Sequence, residues 1–344
     1  MGLIVYTTVI YYLLLKIFKQ NDYKKDDTYV PGITLIISAY NEEKCINVKL
    51  QNTLKLDYPL EKLQVILADD GSTDTTVKIA NGFEFVEILK LARGGKTNAQ
   101  NEAVKIARNE ILVFSDANNT FKKDALKKLV RSFADARVGV VCGELQYNHK
   151  HSEENAYWRY EVAVKKAESK NGWLLGANGS IYAVLRKAFV SLPNDSISDH
   201  LEPIMVYSNG LDVIYEPEAI AFEDVPDNVL QRKRRIILRS LVSMKYVLAL
   251  LNPFNKRSVF IPYVSHKLIR WFSPFFLLII FFTTGLLMNN TNSYSYFLAV
   301  QILFYSFGWL FHPIRYFIQV NLASLLAVID WLTGQRQNTW DVVR

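Results

Sequence analysis

Cysteine is scarce in this 344-residue chain, and the two residues present, Cys45 and Cys142, stand far apart without metal-type spacing. That excludes a disulfide framework or a thiolate metal site and suits reduced core positions in a cytoplasmic domain. Internal repeats and low-complexity linkers are absent too, so neither a repeat array nor a disordered tether is expected. No nucleic-acid motif accompanies the net charge of +7. The basic residues instead crowd beside apolar stretches, at Lys16, Lys24 and Lys25 and again at Arg232, Lys233, Arg234 and Arg235. This placement favours a lipid bilayer as partner, and no nucleic acid.

Apolar sequence is plentiful, at 50% of residues. Residues 3–18 are apolar apart from two threonines and Lys16, close to the minimum for a bilayer span. No basic residue precedes this run and no small-residue cleavage site follows it, so it reads as a transmembrane helix over residues 1–20, not a signal peptide. The lysines after it put the N-terminus outside and the following chain in the cytoplasm. Near the other end lie three more apolar stretches, 272–288, 294–311 and 316–332. The first two read as transmembrane helices. The third carries Asn321 and Asp330, costly in lipid unless partnered, so spanning, re-entrant and interfacial courses all stay open. The resulting organisation is interfacial helices over 229–262 and C-terminal transmembrane helices over 263–335, with Arg239 and Lys245 set among apolar residues in the interfacial part.

Between these segments the pattern changes to short β-branched runs at 33–38, 63–68, 85–89 and 111–115, alternating with helical stretches. Each run ends where polar or glycine-rich sequence begins, the signature of an open α/β sheet. Ligands of such sheets bind beyond the carboxyl ends of the strands, so the four clusters should converge on one crevice. The first cluster, Ser38 to Glu43, contributes Ala39, Tyr40 and Glu42, and the second opens with Asp69 and Asp70. Two adjacent carboxylates can accept from a base N–H or ribose hydroxyls, with the Tyr40 ring beside them. Turn and helix-cap roles explain the same residue types. The third cluster, Gly94-Gly95-Lys96-Thr97-Asn98, lacks P-loop spacing, yet places backbone N–H groups and Lys96 at a helix start where a diphosphate would be favoured. A plain glycine turn with a solvated lysine is the other reading. The fourth, Ser115 to Asn119, sets Asp116 and Asn118 one residue apart, so that both oxygens can reach one hard cation.

Together these clusters resemble the family 2 glycosyltransferases, in the membrane-bound branch with cellulose, hyaluronan and poly-N-acetylglucosamine synthases, over about residues 33–344. The resemblance implies a GT-A fold, a Rossmann-like α/β nucleotide-diphospho-sugar transferase domain, here spanning residues 30–228. It puts Asp69 and Asp70 at the nucleoside and Asp116 with Asn118 at Mg²⁺ or Mn²⁺. Asn118 departs from the stricter Asp-x-Asp form but still supplies an oxygen. Ile197-Ser198-Asp199-His200 resembles the family's Thr-Glu-Asp or Asp-Asp segment, which makes Asp199 the general base that removes the acceptor proton. Gln231 and Arg234 match the family's Gln-x-x-Arg-Trp motif, with Arg235 in place of tryptophan, and Gly176 to Ser180, including Asn178, resembles the loop beside the acceptor.

The implied activity is metal-dependent, inverting transfer from a nucleotide diphosphate sugar, with uridine implied by the resemblance, onto a growing glycan or lipid-linked acceptor. The implied setting is the cell membrane, multi-pass, with the catalytic domain cytoplasmic and room for an accessory membrane subunit. Two alternatives remain. One is a transferase that places a single sugar on a polyprenyl phosphate; the other is a silent membrane scaffold that keeps donor binding, which the presence of both Asp116 and Asp199 disfavours.

Overall fold

The computed structural model describes residues 2–18, 20–148, 155–224, 228–255 and 257–335. Strands β1 (Ile33–Ala39), β2 (Leu63–Asp69), β3 (Val86–Lys90) and β4 (Ile111–Asp116) form within a residue of the expected runs. They pair in parallel in the order β3-β2-β1-β4. β1 is buried along its whole length because helices cover both sheet faces, so its two sets of alternating side chains are equally apolar. Ile36, Ile66, Leu112 and Phe114 enter the core on one side, and Leu35, Ile37, Val65 and Val113 the core on the other.

The sheet continues through β7 (Tyr182–Leu185), β6 (Val138–Tyr147), β8 (Asp212–Glu223) and β5 (Asn119–Phe121). β7 runs antiparallel to both β4 and β6, while β6 and β8 are parallel. Helices α1 (Gly2–Ile17, with a π-helical stretch Tyr6–Ile10), α2 (Ile46–Leu54), α3 (Thr76–Ala80), α4 (Lys96–Ile106), α5 (Ala125–Val130), α6 (Asn155–Lys170) and α7 (Ser198–Ser208) belong to this part of the molecule. α1 packs Tyr11 and Leu15 on Val164 and Ala167 of α6.

Beyond the sheet, α8 (Val229–Val247) buries Ile237, Leu238 and Leu241 in the same core that receives Tyr263, Trp271, Ala327 and Val328 from the C-terminal helices. These are α9 (Phe260–Leu287), α10 (Asn292–Phe307) and α11 (His312–Leu332). The expected boundary at residues 262/263 therefore falls inside α9. Two helices among the described residues, α9 and α11, are long and apolar enough to cross a membrane. The 294–311 stretch, expected to span, gives the 16-residue α10 followed directly by a 3₁₀ turn, Gly308–Leu310. At ~1.5 Å per residue α10 reaches about 24 Å, and the turn at ~2.0 Å per residue extends it to about 30 Å, the thickness of the hydrocarbon core. The costly residues of the third stretch are partnered: Asp330 accepts both hydrogen bonds of a fork from Arg234, at 2.6 and 2.7 Å, and Asn321 accepts from Ser273 at 2.7 Å.

Candidate active site

Strand register brings the first two clusters and the fourth to one edge. Ala39 stands opposite Asp69, Ser38 opposite Asp116, and Asp69 opposite Lys90. From there the loops diverge in what they do. Asp70 is 1% exposed. Its backbone N–H donates to Ala39 O, and its Oδ1 accepts from the Gly94 and Gly95 N–H groups at 2.7 and 2.9 Å. Arg93 adds an ion pair to Oδ2 and lays its guanidinium 3.4 Å from the Tyr40 ring centroid. Asp70 thus clamps the 93–95 loop, and Arg93 and Tyr40 form a stacked pair at the strand ends. Gly95 holds φ at 91°, a left-handed conformation that lets α4 start immediately after it. Asp69 accepts from the Ser72 N–H at 3.3 Å, and the Glu42 carboxylate accepts from the Cys45 thiol at 2.8 Å.

Lys96, the first residue of α4, pairs through Nζ with Asp116 and reaches Gly179 O at 3.4 Å. The Gly176–Ser180 loop arches over the start of α7. Its Ala177 N–H donates to Asp199 O at 2.6 Å, and a Cβ on Gly179 would overlap the Asp199 carboxylate. These pieces line a cavity of 280 Å³ that includes Asp116, Gly176, Asn178 and Asp199. Burial holds the Asp199 carboxyl above the ordinary carboxylate range; Asp116 pushes the same way, and Lys96, Arg239 and Lys267 oppose it. His200 packs its ring against Tyr263 and Trp271 at centroid distances of 5.7 and 5.9 Å, and burial takes its imidazole down to about 3. Burial thus keeps the His200 imidazole uncharged beside the Asp199 carboxyl.

Residues 34–190 match the profile described as glycosyl transferase family 2. This stretch is a family 2 glycosyltransferase domain. Among curated relatives, the poly-beta-1,6-N-acetyl-D-glucosamine synthase of Staphylococcus aureus strain COL is 27% identical over 239 residues, 64% of this chain and 57% of its own length. The Staphylococcus epidermidis protein of the same name is 28% identical over 223 residues, 60% of this chain and 53% of its own. The chain therefore spans little more than half the length of these relatives. A mannosyltransferase from Pyrobaculum calidifontis, solved with GDP-Man and Mn²⁺, superposes with a TM-score of 0.80 at 22% identity, covering 96% of this chain and 97% of its own. S. aureus TarS 1–349 with UDP reaches 0.52 at 20% identity over 70% of this chain and 72% of its own. These likenesses establish the GT-A fold.

Within the glycosyltransferase domain and its neighbouring helices, several site residues carry no sequence signal. Glu223 ends β8 opposite Asn119 and Tyr147; its carboxylate accepts from Ser180 at 2.9 Å, Arg232 at 3.2 Å and Asn118 at 3.3 Å. Lys49 of α2 is 1% exposed and donates to Ser115 and Asn119 at 2.7 Å each, with Phe121 beneath it. It pins the turn that carries Asp116 and Asn118, and burial lowers its ammonium to about 7. From the basic stretch, Arg232 and Lys233 line the cavity. Arg234, expected at the acceptor or the membrane interface, pairs with Asp330 of α11. The Gln231 N–H is capped by Asn228 Oδ1, and Arg235 is not among the cavity-lining residues.

The expected metal can be tested against these groups. Asp116 and Glu223 offer carboxylate oxygens and Asn118 an amide oxygen, but Asn118 meets Glu223 through its amide nitrogen, and among the described residues no three His, Cys, Asp or Glu side chains gather about one point. Oxygen groups of this kind suit Mg²⁺ or Mn²⁺ where phosphate oxygens and water complete the shell.

Proposed function

We propose that the chain is an inverting glycosyltransferase of the membrane surface, moving a sugar from a nucleoside diphosphate donor to a glycan or lipid-linked hydroxyl in polysaccharide or glycoconjugate synthesis. The observation that carries this reading is the cavity in which Asp116, paired with Lys96, and the half-buried Asp199 meet under one glycine-bearing loop. The strand-end groups around Tyr40, Asp69 and Asp70 take the nucleoside. Lys96 and Arg232 lie where a diphosphate next to Asp116 needs positive charge. The acceptor hydroxyl attacks the anomeric carbon from the side opposite the diphosphate, Asp199 takes its proton, and the bond from that carbon to the diphosphate oxygen breaks. Asp116 and Asn118, with Glu223 beside them, would hold the divalent cation, which supplies charge neutralisation of the leaving diphosphate. A uridine donor follows from the family resemblance; because solved neighbours carry GDP-Man and UDP, both nucleotide types are offered in the test.

The domain, residues 30–228, faces the cytoplasm in this reading, with α9 and α11 crossing the bilayer. The experiment is product analysis by mass spectrometry, with purified protein offered a panel of nucleotide sugars, membrane lipids and short oligosaccharides. Transfer should require Mg²⁺ or Mn²⁺, and Asp116→Ala should abolish it while weakening donor binding in the presence of metal. Full transfer in excess chelator removes the metal assignment. Failure of every nucleotide sugar to bind removes the function.

A further inference from the structure

The Gly176–Ser180 loop orders the cavity. At its Gly179 end stand Lys96, Asp116 and the Asp199 carboxylate. Towards its other end the chemistry is again cationic. Lys165 of α6 donates to Asn178 Oδ1 at 2.8 Å, and Lys267 Nζ lies 3.6 Å from where a Gly176 Cβ would stand. Both lysines line the cavity. Two acids stand nearby: Glu168 accepts from Tyr11 and meets His266 at 2.7 Å through Oε1 while its Oε2 has no hydrogen-bond partner, Glu161 pairs with Arg270, and the charges of both act on Lys267. Among the described residues Lys267 makes no hydrogen bond or ion pair. An ammonium set into a cavity wall without such a partner is costly unless a ligand brings negative charge to it.

Lys267 also stands on a helix whose continuation is apolar. Pro274, Leu278 and Phe281 follow it in α9 at seven, eleven and fourteen residues and share a face with one another, beyond the π-helical stretch Val264–Leu268 that carries Lys267. These three, with Phe317 and Ile318 of α11, line an apolar groove of 290 Å³ between the two helices long enough to cross a membrane. The same helix therefore leads from a cation in the polar cavity to a hydrocarbon-lined crevice.

We propose that the acceptor is a lipid-linked sugar phosphate: its phosphate is held by Lys165 and Lys267, its chain lies in the groove between α9 and α11, and its sugar hydroxyl points to Asp199. This rests on the glycosyltransferase reading of the cavity and adds the class of acceptor. A phosphate anchored on the Gly176 side leaves the Asp116 side to the donor, so the two anionic ligands enter from opposite ends of the loop. The groove gives the chain a place that water-soluble oligosaccharides cannot use.

The test uses the purified full chain in a neutral detergent, with dodecyl phosphate, dodecanol and inorganic phosphate as probes and a nucleotide sugar measured in the same samples. Dodecyl phosphate should bind at least tenfold more tightly than either other probe. Lys267→Met and Lys165→Met should each weaken it about tenfold, and Lys267→Arg should restore it, which separates lost charge from lost folding. Dodecanol binding as tightly as dodecyl phosphate, or Lys267→Met binding it unchanged, overturns the anionic subsite. Inorganic phosphate binding as tightly as dodecyl phosphate overturns the lipid chain. Nucleotide-sugar binding that persists while dodecyl phosphate fails counts against this acceptor alone; the converse result counts against the glycosyltransferase reading itself.

Discussion

The parallel half of the sheet, β1 to β4, sends Asp116 alone into the cavity and keeps its other strand-end groups beside it, whereas the half that follows, β5 to β8 with α6, α7 and the C-terminal helices, supplies most of the lining. In the parallel half each functional residue sits within a few positions of a strand end, and register alone aligns Ala39, Asp69 and Asp116. In the second half the contributors come from far apart in sequence: Lys165, Gly176, Asp199, Glu223, Arg232 and Lys267 arrive from different elements. The difference teaches that the proposed donor side is built by repetition of one strand–loop–helix unit, whereas the proposed acceptor side is built by packing. Perturbing the first should alter binding and local folding together; perturbing the second should alter transfer with donor binding intact.

The sharpest separation is expected at Asp199. Asp199→Asn keeps the size and one acceptor oxygen but removes the base, so transfer should fall by roughly two to four orders of magnitude. Donor affinity by calorimetry should hardly change, and equal losses in both would erase the distinction between the halves. The pH profile offers a companion reading. A base must be ionised to act, and burial raises the Asp199 pKa, so transfer should decline on the acid side at a higher pH than an ordinary carboxylate would give.

Asp70→Ala attacks the other half. It removes the acceptor of two backbone N–H groups and the partner of Arg93, interactions worth about 1.5–3 kcal/mol each when one member is charged. Donor affinity should drop about tenfold to a hundredfold, accompanied by a lower melting temperature. A variant that binds donor normally would mean the 93–95 loop does not depend on this clamp.

Gly179→Ala is a smaller intrusion. The added Cβ must displace the Asp199 carboxylate and the Lys96 ammonium, a strain of about 1–3 kcal/mol. Transfer should fall about tenfold, and nucleotide-sugar affinity should weaken by a smaller factor because Lys96 moves as well. Unchanged transfer would show that the loop yields to the added methyl without disturbing Asp199.

The least effect is predicted for Glu202→Gln. Glu202 is buried on α7, accepts from Tyr182 at 3.1 Å, and burial raises its carboxyl to about 8. Because the folded pKa exceeds the unfolded one, its stabilisation is complete at acid pH and is lost as pH rises towards 8. The glutamine variant lacks that loss, so its stability relative to the parent should grow between pH 5 and pH 8, by about 1 kcal/mol or more, in denaturant titrations. An advantage that does not change with pH would show that Glu202 is not the titrating group.

How much of this could be read beforehand follows the same division. The four parallel strands and the clusters after them were legible because a buried strand is a short β-branched run and its loop is polar, both local signals. Glu223 was not legible: a single glutamate ending a strand has no pattern, and its partners Ser180, Asn118 and Arg232 lie at separations of 43, 105 and 9 residues. Lys49 looked like any helix lysine until Ser115 and Asn119 were seen to receive it. Arg234 carried a motif match, but its orientation on α8 depends on Asp330 of α11.

The sequence by itself determined the α/β alternation, the strand-end carboxylates and the apolar helices, since periodicity and loop chemistry are properties of neighbours along the chain. Tertiary structure alone decided which cation meets which carboxylate: Lys96 takes Asp116, Arg93 takes Asp70, Arg234 takes Asp330, and Lys267 is left facing the cavity. The physical reason is range. Hydrophobic patterning acts over one turn or one pleat, but a buried charge is satisfied only by a group that folding brings within a few ångströms of it, from wherever in the chain that group happens to come.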